Sequence, residues 1–286
     1  MNRGKLAIIL LIVLFASSAV AGGLTGTLKQ IKKTGQIKIG YRTSEPPMSF
    51  LDKNGNPAGY SIDISKFIVK EVEKKIGKDI KVIYVPVNSE NRFKALTENK
   101  IDILCGATTK TLSRMDIVDF TQLTFVTGAS LMTLQENKPT GENSLKGKKI
   151  GVVRDTTTLD ALKKAIKKSA AGAKIVQFDK AEDGIDALLN KRIDAFASDQ
   201  VVLVGLALKS GTPEKFAIDS QVFSYEPFAF VVRRNDANFR LVADRTIAAL
   251  CRSGEIVAIY YNWVGRFVGQ RLPIYDAMVQ LNAIPE

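Results

Sequence analysis

Residues 101–114 read IDILCGATTKTLSR, an apolar run from Ile101 to Cys105 followed by small and hydroxylated residues and then Arg114. The apolar run is typical of a buried strand, and the segment after it is typical of a turn into a helix. Beyond a strand end, small residues let a ligand approach the backbone, while threonine hydroxyls, free helix amides and an arginine can bind an anion. The same residues also suit an ordinary helix cap and a solvated arginine. Residues elsewhere in the chain must decide between a binding site and a capped turn.

Apolar strands alternate with amphipathic helices before this stretch. The predicted strands are 36–41, 80–85 and 101–105, and the predicted helices are 24–33, 63–76 and 89–98. A turn at 52–57 predicts a hairpin between 48–51 and 58–60. Such alternation predicts an α/β fold, with a mostly parallel sheet covered by helices.

The pattern restarts after an extended run at 125–134 and a polar segment at 135–144. The second unit comprises strands 149–153, 174–178 and 194–198 with helices 157–169, 181–190 and 200–208, and a last part comprises strand 227–232 with helices 237–251 and 255–263. We therefore predict two α/β lobes joined by two extended segments, near 121–128 and 224–228. Lobe 1 would comprise 22–125 and 228–286, and lobe 2 would comprise 126–227.

The first 21 residues differ from the rest of the chain. Arg3 and Lys5 precede an uninterrupted apolar run over 6–15, and Ala19-Val20-Ala21 provides small residues for cleavage. This pattern predicts a cleaved secretory signal and a soluble exported protein, with an uncleaved membrane anchor as the alternative. The length of 286 residues, with 45% apolar and 24% charged residues, suits two compact lobes.

Composition excludes several classes of site. The chain has no histidine, which rules out Ser-His and Cys-His nucleophiles and histidine-containing zinc sites; we expect no metal and no cofactor. The formal charge is +12, but the basic residues are spread over helix faces without a basic tail, so we expect no nucleic-acid partner. Cys105 and Cys251 could form a disulfide in an oxidising compartment or stay two buried thiols.

Polar side chains follow the predicted strands at the ends where α/β proteins bind ligands. The residues at these strand ends are Arg42, Ser89, Arg92, Thr109, Arg114, Thr156, Thr157 and Asp199. Each has an alternative reading, because Ser89 and Asp199 could be helix N-caps and Thr157 could form a capping box with Asp160. Three arginines, several hydroxyls and one carboxylate at neighbouring strand ends favour a shared cleft.

An ordered set of short motifs resembles the family 3 solute-binding proteins, the periplasmic receptors of ATP-driven amino-acid importers, and within them the glutamate/aspartate-binding branch. The motifs are 40–42 (GYR), 59–63 (GYSID), 88–92 (NSENR), 105–109 (CGATT) with Arg114, 119–121 (DFT), 155–157 (DTT), 195–199 (AFASD), and 253–255 (SGE) with Trp263. The resemblance spans nearly the whole mature chain. It implies a type II periplasmic binding fold, with two lobes that close around an amino acid.

The resemblance also implies a role for each matched residue. Arg114 and Thr109 would hold the α-carboxylate of the ligand with help from the Thr157 amide, and Asp199 with the Ala107 carbonyl would hold its α-ammonium group. In the acidic-amino-acid branch the side-chain carboxylate would be bound by a group formed by Arg42, Ser89 and Arg92. Arginine suits planar carboxylates, and a neutral or basic ligand would leave Arg42 and Arg92 unpaired.

One departure from that branch affects the ligand preference. The stretch Ala181-Glu182-Asp183 lies where its members carry a histidine, so the preference between glutamate, aspartate and their amides stays open. Glu182 facing the cleft would disfavour an acidic ligand. We expect a monomeric receptor that delivers glutamate or aspartate to a membrane permease and is not an enzyme. The alternative is an exported dehydratase of the same fold acting on prephenate or arogenate, with Glu45, Glu90 or Glu182 as the proton donor.

Overall fold

The computed structural model describes residues 23–138, 145–169, 172–265 and 271–286. The predicted signal segment, 1–21, lies outside these residues. The described chain forms two five-stranded sheets, a small three-stranded sheet and helices packed on them. Among the described residues, no helix is both long and apolar enough to cross a membrane.

The helices and strands follow one another in the order predicted for an α/β chain. The strands are β1 (Gln36–Tyr41), β2 (Ser44–Glu45), β3 (Ser49–Leu51), β4 (Pro57–Ala58), β5 (Lys81–Pro86), β6 (Ile103–Cys105), β7 (Val118–Thr127), β8 (Ala129–Leu134), β9 (Lys149–Val153), β10 (Lys174–Phe178), β11 (Ala195–Asp199), β12 (Phe216–Ile218) and β13 (Glu226–Arg233). The α-helices are α1 (Gly26–Thr34), α2 (Tyr60–Ile76), α3 (Arg92–Thr97), α4 (Leu112–Met115), α5 (Thr157–Ser169), α6 (Ala181–Leu189), α7 (Gln200–Lys209), α8 (Ala237–Ser253), α9 (Glu255–Tyr260) and α10 (Pro273–Asn282).

Each large sheet combines parallel strands with an antiparallel pair. The first has the order β5-β1-β6-β13-β7 and the second β10-β9-β11-β8-β12. In the first, β1 is parallel to β5 and β6, and β13 is antiparallel to β6 and β7. In the second, β9 is parallel to β10 and β11, and β8 is antiparallel to β11 and β12. The structure therefore has two α/β lobes, lobe 1 around the first sheet and lobe 2 around the second.

The chain passes between the sheets twice, and the two passages contact each other. Only Gly128 separates β7 from β8, and the return passage runs from β12 to β13. A Cβ atom on Gly128 would lie 2.4 Å from the carbonyl oxygen of Ser224, so a larger residue would push the two passages apart. The Ala129 amide donates to Ser224 Oγ at 3.0 Å, and the Phe223 amide donates to the Ala129 carbonyl at 2.8 Å.

Some predicted boundaries are wrong by several residues. Helix α2 begins at Tyr60 rather than Asp63, and α3 begins at Arg92 rather than Ser89. The extended run predicted at 125–134 is two strands in different sheets, β7 and β8, and β7 begins seven residues earlier, at Val118. Strand β7 pairs with β13 from Val118 with Arg233 to Thr127 with Glu226, and most of its residues are Val, Phe and Thr, which favour strands.

Helix α10 was not predicted, and it completes the core of lobe 1. Tyr275 is buried in that helix, and its hydroxyl lies 3.1 Å from the hydroxyl of Tyr60. The ring of Phe125 lies between them, with centroids 5.5 Å from Tyr60 and 5.3 Å from Tyr275. Both cysteines are buried and free, so the question left open by the sequence is settled in favour of two thiols.

Candidate functional site

A closed cavity lies where the carboxyl ends of the strands of the two lobes face each other. It is lined by Arg42, Ser44, Glu45, Arg92, Ala107, Thr109, Arg114, Val153, Thr156, Thr157, Thr158, Ala181, Ala197, Ser198, Asp199 and Val202. Its volume of about 30 Å³ is close to the space one water molecule takes up in the liquid. The lobes are therefore in contact across this cavity, which we call the cleft. A larger groove of about 700 Å³ lies between α2 and α8, away from the strand ends, and most of its charged side chains are exposed.

The structure brings together the eight residues that the sequence singled out. The eight are Arg42, Ser89, Arg92, Ala107, Thr109, Arg114, Thr157 and Asp199. All except Ser89 line the cleft, and Ser89 lies directly behind it, where its hydroxyl accepts a hydrogen bond from Arg42 Nη2 at 2.9 Å. Their roles in ligand binding stay predictions. We call Arg42, Glu45, Ser89 and Arg92 the Arg42 end of the cleft, and Thr109, Arg114, Thr157, Asp199 and Glu226 the Arg114 end.

Arg114 is held in place by the turn that follows β6. Its Nη1 donates to the Thr109 carbonyl at 2.7 Å, and its guanidinium carbon lies 5.4 Å from the ring centroid of Phe93. Burial lowers the pKa of Arg114, while the negative charges of Glu226 and Asp199 act in the opposite direction. Arg114 is thus a partly desolvated cation facing two carboxylates, and it can bind a third in bidentate geometry.

Two further arginines form the other end of the cleft. Arg92 is 3% exposed, and it donates from Nη1 to the Ser89 carbonyl and from Nη2 to the Asp155 carbonyl at 3.1 Å. Burial, together with the positive charges of Arg42 and Arg114, lowers the pKa of Arg92 to about 9. The Arg92 side chain therefore stays charged at neutral pH. An anion bound beside it would offset the cost of its burial and the repulsion from the two other arginines.

Glu45 was not predicted as part of this subsite, although its carboxylate lies inside it. Glu45 Oε1 is 2.9 Å from Arg42 Nη1, and Oε2 is buried with no hydrogen-bond partner. The residue is placed by β2, which pairs with β3 through Glu45 and Ser49. Burial raises the pKa of Glu45, and the positive charges of Arg42 and Arg92 act in the opposite direction.

Glu226, the first residue of β13, is the second residue that the sequence did not reveal. It is 1% exposed and accepts hydrogen bonds from the hydroxyls of Thr109 at 2.6 Å, Thr157 at 2.7 Å and Ser224 at 2.6 Å. Thr109 belongs to lobe 1 and Thr157 to lobe 2, so this one carboxylate joins both lobes and the returning passage. The only sequence signal is an acidic residue at the start of a strongly apolar strand.

These bonds decide what the two threonine hydroxyls can offer a ligand. A hydroxyl has a single proton, and those of Thr109 and Thr157 are directed to Glu226. Their oxygen atoms can still accept a hydrogen bond, which suits an ammonium group. In this arrangement Thr109 can serve a carboxylate only through its backbone amide. The Lys110 amide donates to the Pro227 carbonyl, and the Ala229 amide donates to the Thr108 carbonyl, so these two bonds lie on either side of the Thr109 amide.

Asp199 lies opposite Arg114, at the end of β11. Its Oδ1 is buried without a partner, and burial raises its pKa well above the usual value, with further contributions from the negative charges of Glu226 and Glu45. Asp199 precedes α7 but makes no side-chain capping bond. The helix-cap reading of Asp199 is therefore wrong, and an ammonium group would supply the missing partner.

The other two capping readings are also wrong. Thr156, rather than Thr157, caps α5, since its Oγ1 accepts from the Leu159 amide at 3.2 Å. Helix α3 has Asn91 rather than Ser89 at its N-cap position. The hydroxyls of Ser89 and Thr157 instead bond to Arg42 and Glu226.

Two other glutamates were named as candidate proton donors, and they differ in burial. Glu182 bonds to Lys209 Nζ through Oε1 at 3.3 Å, while its Oε2 is buried without a partner. It lies close enough to Glu45 for its charge to raise the pKa of that residue. Glu90 is exposed on the loop before α3. Within the described residues, no group of three or more Cys, Asp or Glu side chains could hold a metal ion.

Comparison with known proteins agrees with this geometry. Residues 37–266 match the family of bacterial extracellular solute-binding proteins, family 3. The chain belongs to this family. The L-glutamate/L-aspartate-binding protein of Pseudomonas aeruginosa is 32% identical over 252 residues, which are 87% of this chain and 83% of that protein. The glutamate/aspartate import solute-binding protein of Salmonella typhimurium is 33% identical over 83% of this chain and 79% of that protein.

Solved structures share the fold. An ancestral amino-acid-binding protein, described as a precursor of cyclohexadienyl dehydratase, is 26% identical and superposes with a TM-score of 0.72 over 83% of this chain and 99% of that chain. The solute-binding protein described here therefore has the type II periplasmic binding fold, with two α/β lobes joined by a two-segment hinge. Its relatives named above are solute-binding proteins, and the fold is shared with a protein that preceded an enzyme.

Proposed function

We propose that this protein is the periplasmic receptor of an ATP-driven importer and that it binds an acidic amino acid, glutamate or aspartate, between its lobes. The observation that carries the proposal is the set of three arginines with Asp199 around one cleft at the strand ends. An acidic amino acid has two carboxylates and one ammonium group, so it needs cations at both ends of the site and an anion at one. The names of the two curated relatives support the same ligand class.

The division of the cleft follows from the groups at each end. Arg114, with the Thr109 and Thr157 amides, would bind the α-carboxylate, while Asp199, the Ala107 carbonyl and the Thr109 hydroxyl oxygen would bind the α-ammonium group. Arg42, Ser89 and Arg92 would bind the side chain. The protein would be exported after cleavage of residues 1–21 and act as a monomer, with 22–125 and 228–286 as lobe 1 and 126–227 as lobe 2.

Ligand binding would be coupled to closure of the lobes. The cleft of about 30 Å³ is too small to admit an amino acid, so the lobes must separate around the passages near Gly128 and Ser224. A ligand that contacts Arg114 on lobe 1 and Thr157 on lobe 2 favours the closed state, which a membrane permease can recognise. A dissociation constant near 1 μM corresponds to about 8 kcal/mol, within reach of several charge-assisted hydrogen bonds.

Calorimetric titration of the mature protein with a panel of amino acids tests the proposal. We expect heat of binding with glutamate or aspartate and at least tenfold weaker binding of leucine and lysine. These two ligands bring no anion to Arg92, whose guanidinium donates to two backbone carbonyls, whereas Arg42 is already paired with Glu45. Equal or tighter binding of leucine or lysine would refute the assignment. Formation of an aromatic product from prephenate would establish the dehydratase alternative instead.

Replacing Arg92 tests the proposed division of the cleft. We expect Arg92→Gln to weaken glutamate binding by about ten- to a hundredfold, the range for loss of one charged hydrogen-bond partner, and to leave the binding of a ligand without a side-chain acceptor unchanged. The measurement is calorimetry with glutamate and with 2-aminobutyrate, and thermal denaturation verifies the fold. Arg154→Gln removes an exposed arginine paired with exposed Asp179 and serves as the charge-matched control. Equal losses for both ligands would contradict the division.

A further inference from the structure

Two polar atoms at the Arg42 end are buried and have no hydrogen-bond partner. They are Glu45 Oε2, an acceptor, and Arg92 Nε, a donor. Both residues line the cleft. Buried polar atoms in folded proteins are nearly always paired, so an unpaired acceptor and an unpaired donor on two residues that line one cavity describe the group that would complete them. That group has one hydrogen-bond donor and one acceptor.

The position of Glu45 is fixed by groups on several elements. Oε1 is paired with Arg42 Nη1 at 2.9 Å, and the side chain is 14% exposed. The charged groups that face it are Arg42 at the end of β1, Arg92 on α3, Glu182 on α6 with its partner Lys209 on α7, and Asp199 at the end of β11. The carboxylate therefore cannot turn toward solvent without breaking a buried ion pair.

We propose that Glu45 makes the Arg42 end of the cleft proton-linked, so that an ω-amide side chain binds to it directly and an acidic side chain binds together with one proton. This inference rests on the proposed function, since it concerns the same amino-acid site. It names the primary amides, glutamine and asparagine, as ligands alongside glutamate and aspartate.

An amide completes both unpaired atoms. Its NH₂ group can donate to Glu45 Oε2, and its carbonyl can accept from Arg92 Nε. An ionised side-chain carboxylate can accept from Arg92 but has no proton for Glu45. It would place two carboxylates side by side in a buried site, where one of them takes up a proton. The proton comes from solvent and lies between Glu45 and the ligand.

The sign of the pH dependence follows from the order of the ionisations. Burial already raises the pKa of Glu45 in the unliganded cleft, and a second carboxylate beside it raises that pKa further. Between these two pKa values, binding of an acidic amino acid takes up a proton, so its affinity increases as the pH falls, by up to about tenfold per pH unit. Glutamine binding takes up no proton over the same range.

Calorimetry on the mature protein counts the protons directly. Glutamate and glutamine are titrated from pH 5.5 to 8.5 in phosphate and in Tris, whose ionisation enthalpies differ, so the difference in heat gives the protons bound per ligand. Both ligands bring the same ammonium group to Asp199, so any proton exchanged there is common to them. We expect glutamate to take up about one proton more than glutamine, with the ratio of their affinities moving toward glutamine as the pH rises. This measurement needs no variant.

The variant Glu45→Gln provides an independent test of the role of Glu45. It should abolish the proton uptake and shift the affinity ratio toward glutamate by at least tenfold at pH 8, because the introduced amide can donate to a ligand carboxylate. Glu71→Gln, at an exposed position on α2, makes the same charge change away from the cleft and should alter neither quantity. Equal proton uptake for glutamate and glutamine, with an unchanged affinity ratio in Glu45→Gln, would overturn the inference and leave the proposed function standing. Absence of binding by either ligand would refute both.

Discussion

Arg114→Ala is expected to abolish the binding of every amino acid, whatever its side chain. All amino acids share the α-carboxylate, and Arg114 is the cation at that end of the cleft, where it faces Glu226 and Asp199. Removing one partner of a buried charge pair costs about 3–5 kcal/mol, which corresponds to a factor of roughly a hundred to several thousand in affinity. A micromolar ligand would then no longer give measurable heat.

The experiment compares three variants by calorimetry and thermal denaturation. Arg114→Ala should lose binding of glutamate and glutamine alike, and Arg114→Lys should retain part of it, because lysine keeps the charge but not the paired donors. Arg154→Ala removes the same charge from an exposed position in lobe 2 and should bind normally. Selective loss of acidic ligands in Arg114→Ala would instead place Arg114 at the side-chain end.

Much of the fold could be predicted because its strands carry a strong local signal. Strands β1 and β9 begin and end where their apolar pattern does, and Gly35 and Gly77 close α1 and α2 in the left-handed conformation. The start of β7 was missed although Val118, Phe120 and Thr121 favour strands, because Asp119 and Gln122 interrupt the apolar pattern. Pairing with β13, a partner about a hundred residues away, holds the whole segment extended.

The candidate site shows the same limit. The rule that ligands bind beyond the carboxyl ends of strands located four of its residues. Arg42 directly follows β1 and Asp199 ends β11, while Thr109 and Thr157 each lie four residues beyond a strand. Glu226 begins a strand rather than ending one. Because β13 runs antiparallel to β6, its first residue lies near the carboxyl end of β6, where it bonds to Thr109 and Thr157 of the cleft.

Glu45 was named only as a proton donor for the dehydratase alternative, and its place beside Arg42 was missed for a different reason. It lies in a two-residue strand whose position depends on the pairing of Ser44 and Glu45 with β3. Glutamate is seldom buried unless it is paired, and the sequence does not reveal that Arg42 folds back onto it at 2.9 Å. Both missed residues are buried acids, which are the residues for which composition-based expectations are least informative.

Asp199→Asn is expected to stabilise the unliganded protein at neutral pH while removing ligand binding. Burial, Glu226 and Glu45 raise the pKa of Asp199 well above its usual value. A carboxyl whose pKa is raised on folding stabilises the folded state below its unfolded pKa, about 3.9. That contribution is lost as the pH rises through the folded pKa. At pH 7.5, far above the unfolded pKa, the raised pKa therefore makes the Asp199 carboxyl group a net cost to folding. Asparagine removes that cost with nearly the same shape.

The two effects have opposite signs, which makes the prediction specific. The melting temperature of the unliganded variant at pH 7.5 should exceed that of the wild-type protein by a few degrees, and the difference should shrink toward pH 4. Ligand binding should weaken by a hundredfold or more, because the α-ammonium group would lose the counter-charge that Asp199 provides in the closed cleft. Calorimetry and thermal denaturation with and without ligand measure both quantities.

Asp179→Asn provides the matched control, because Asp179 is an exposed aspartate of the same lobe, paired with Arg154. It should change neither the melting temperature nor the affinity appreciably, since surface ion pairs contribute about 0–1 kcal/mol. If Asp199→Asn lowered the melting temperature and kept its affinity, the carboxylate of Asp199 would be a structural partner within lobe 2. If Asp199→Asn instead gains stability and loses binding, Asp199 is an anion whose burial destabilises the unliganded fold and whose charge the ligand neutralises.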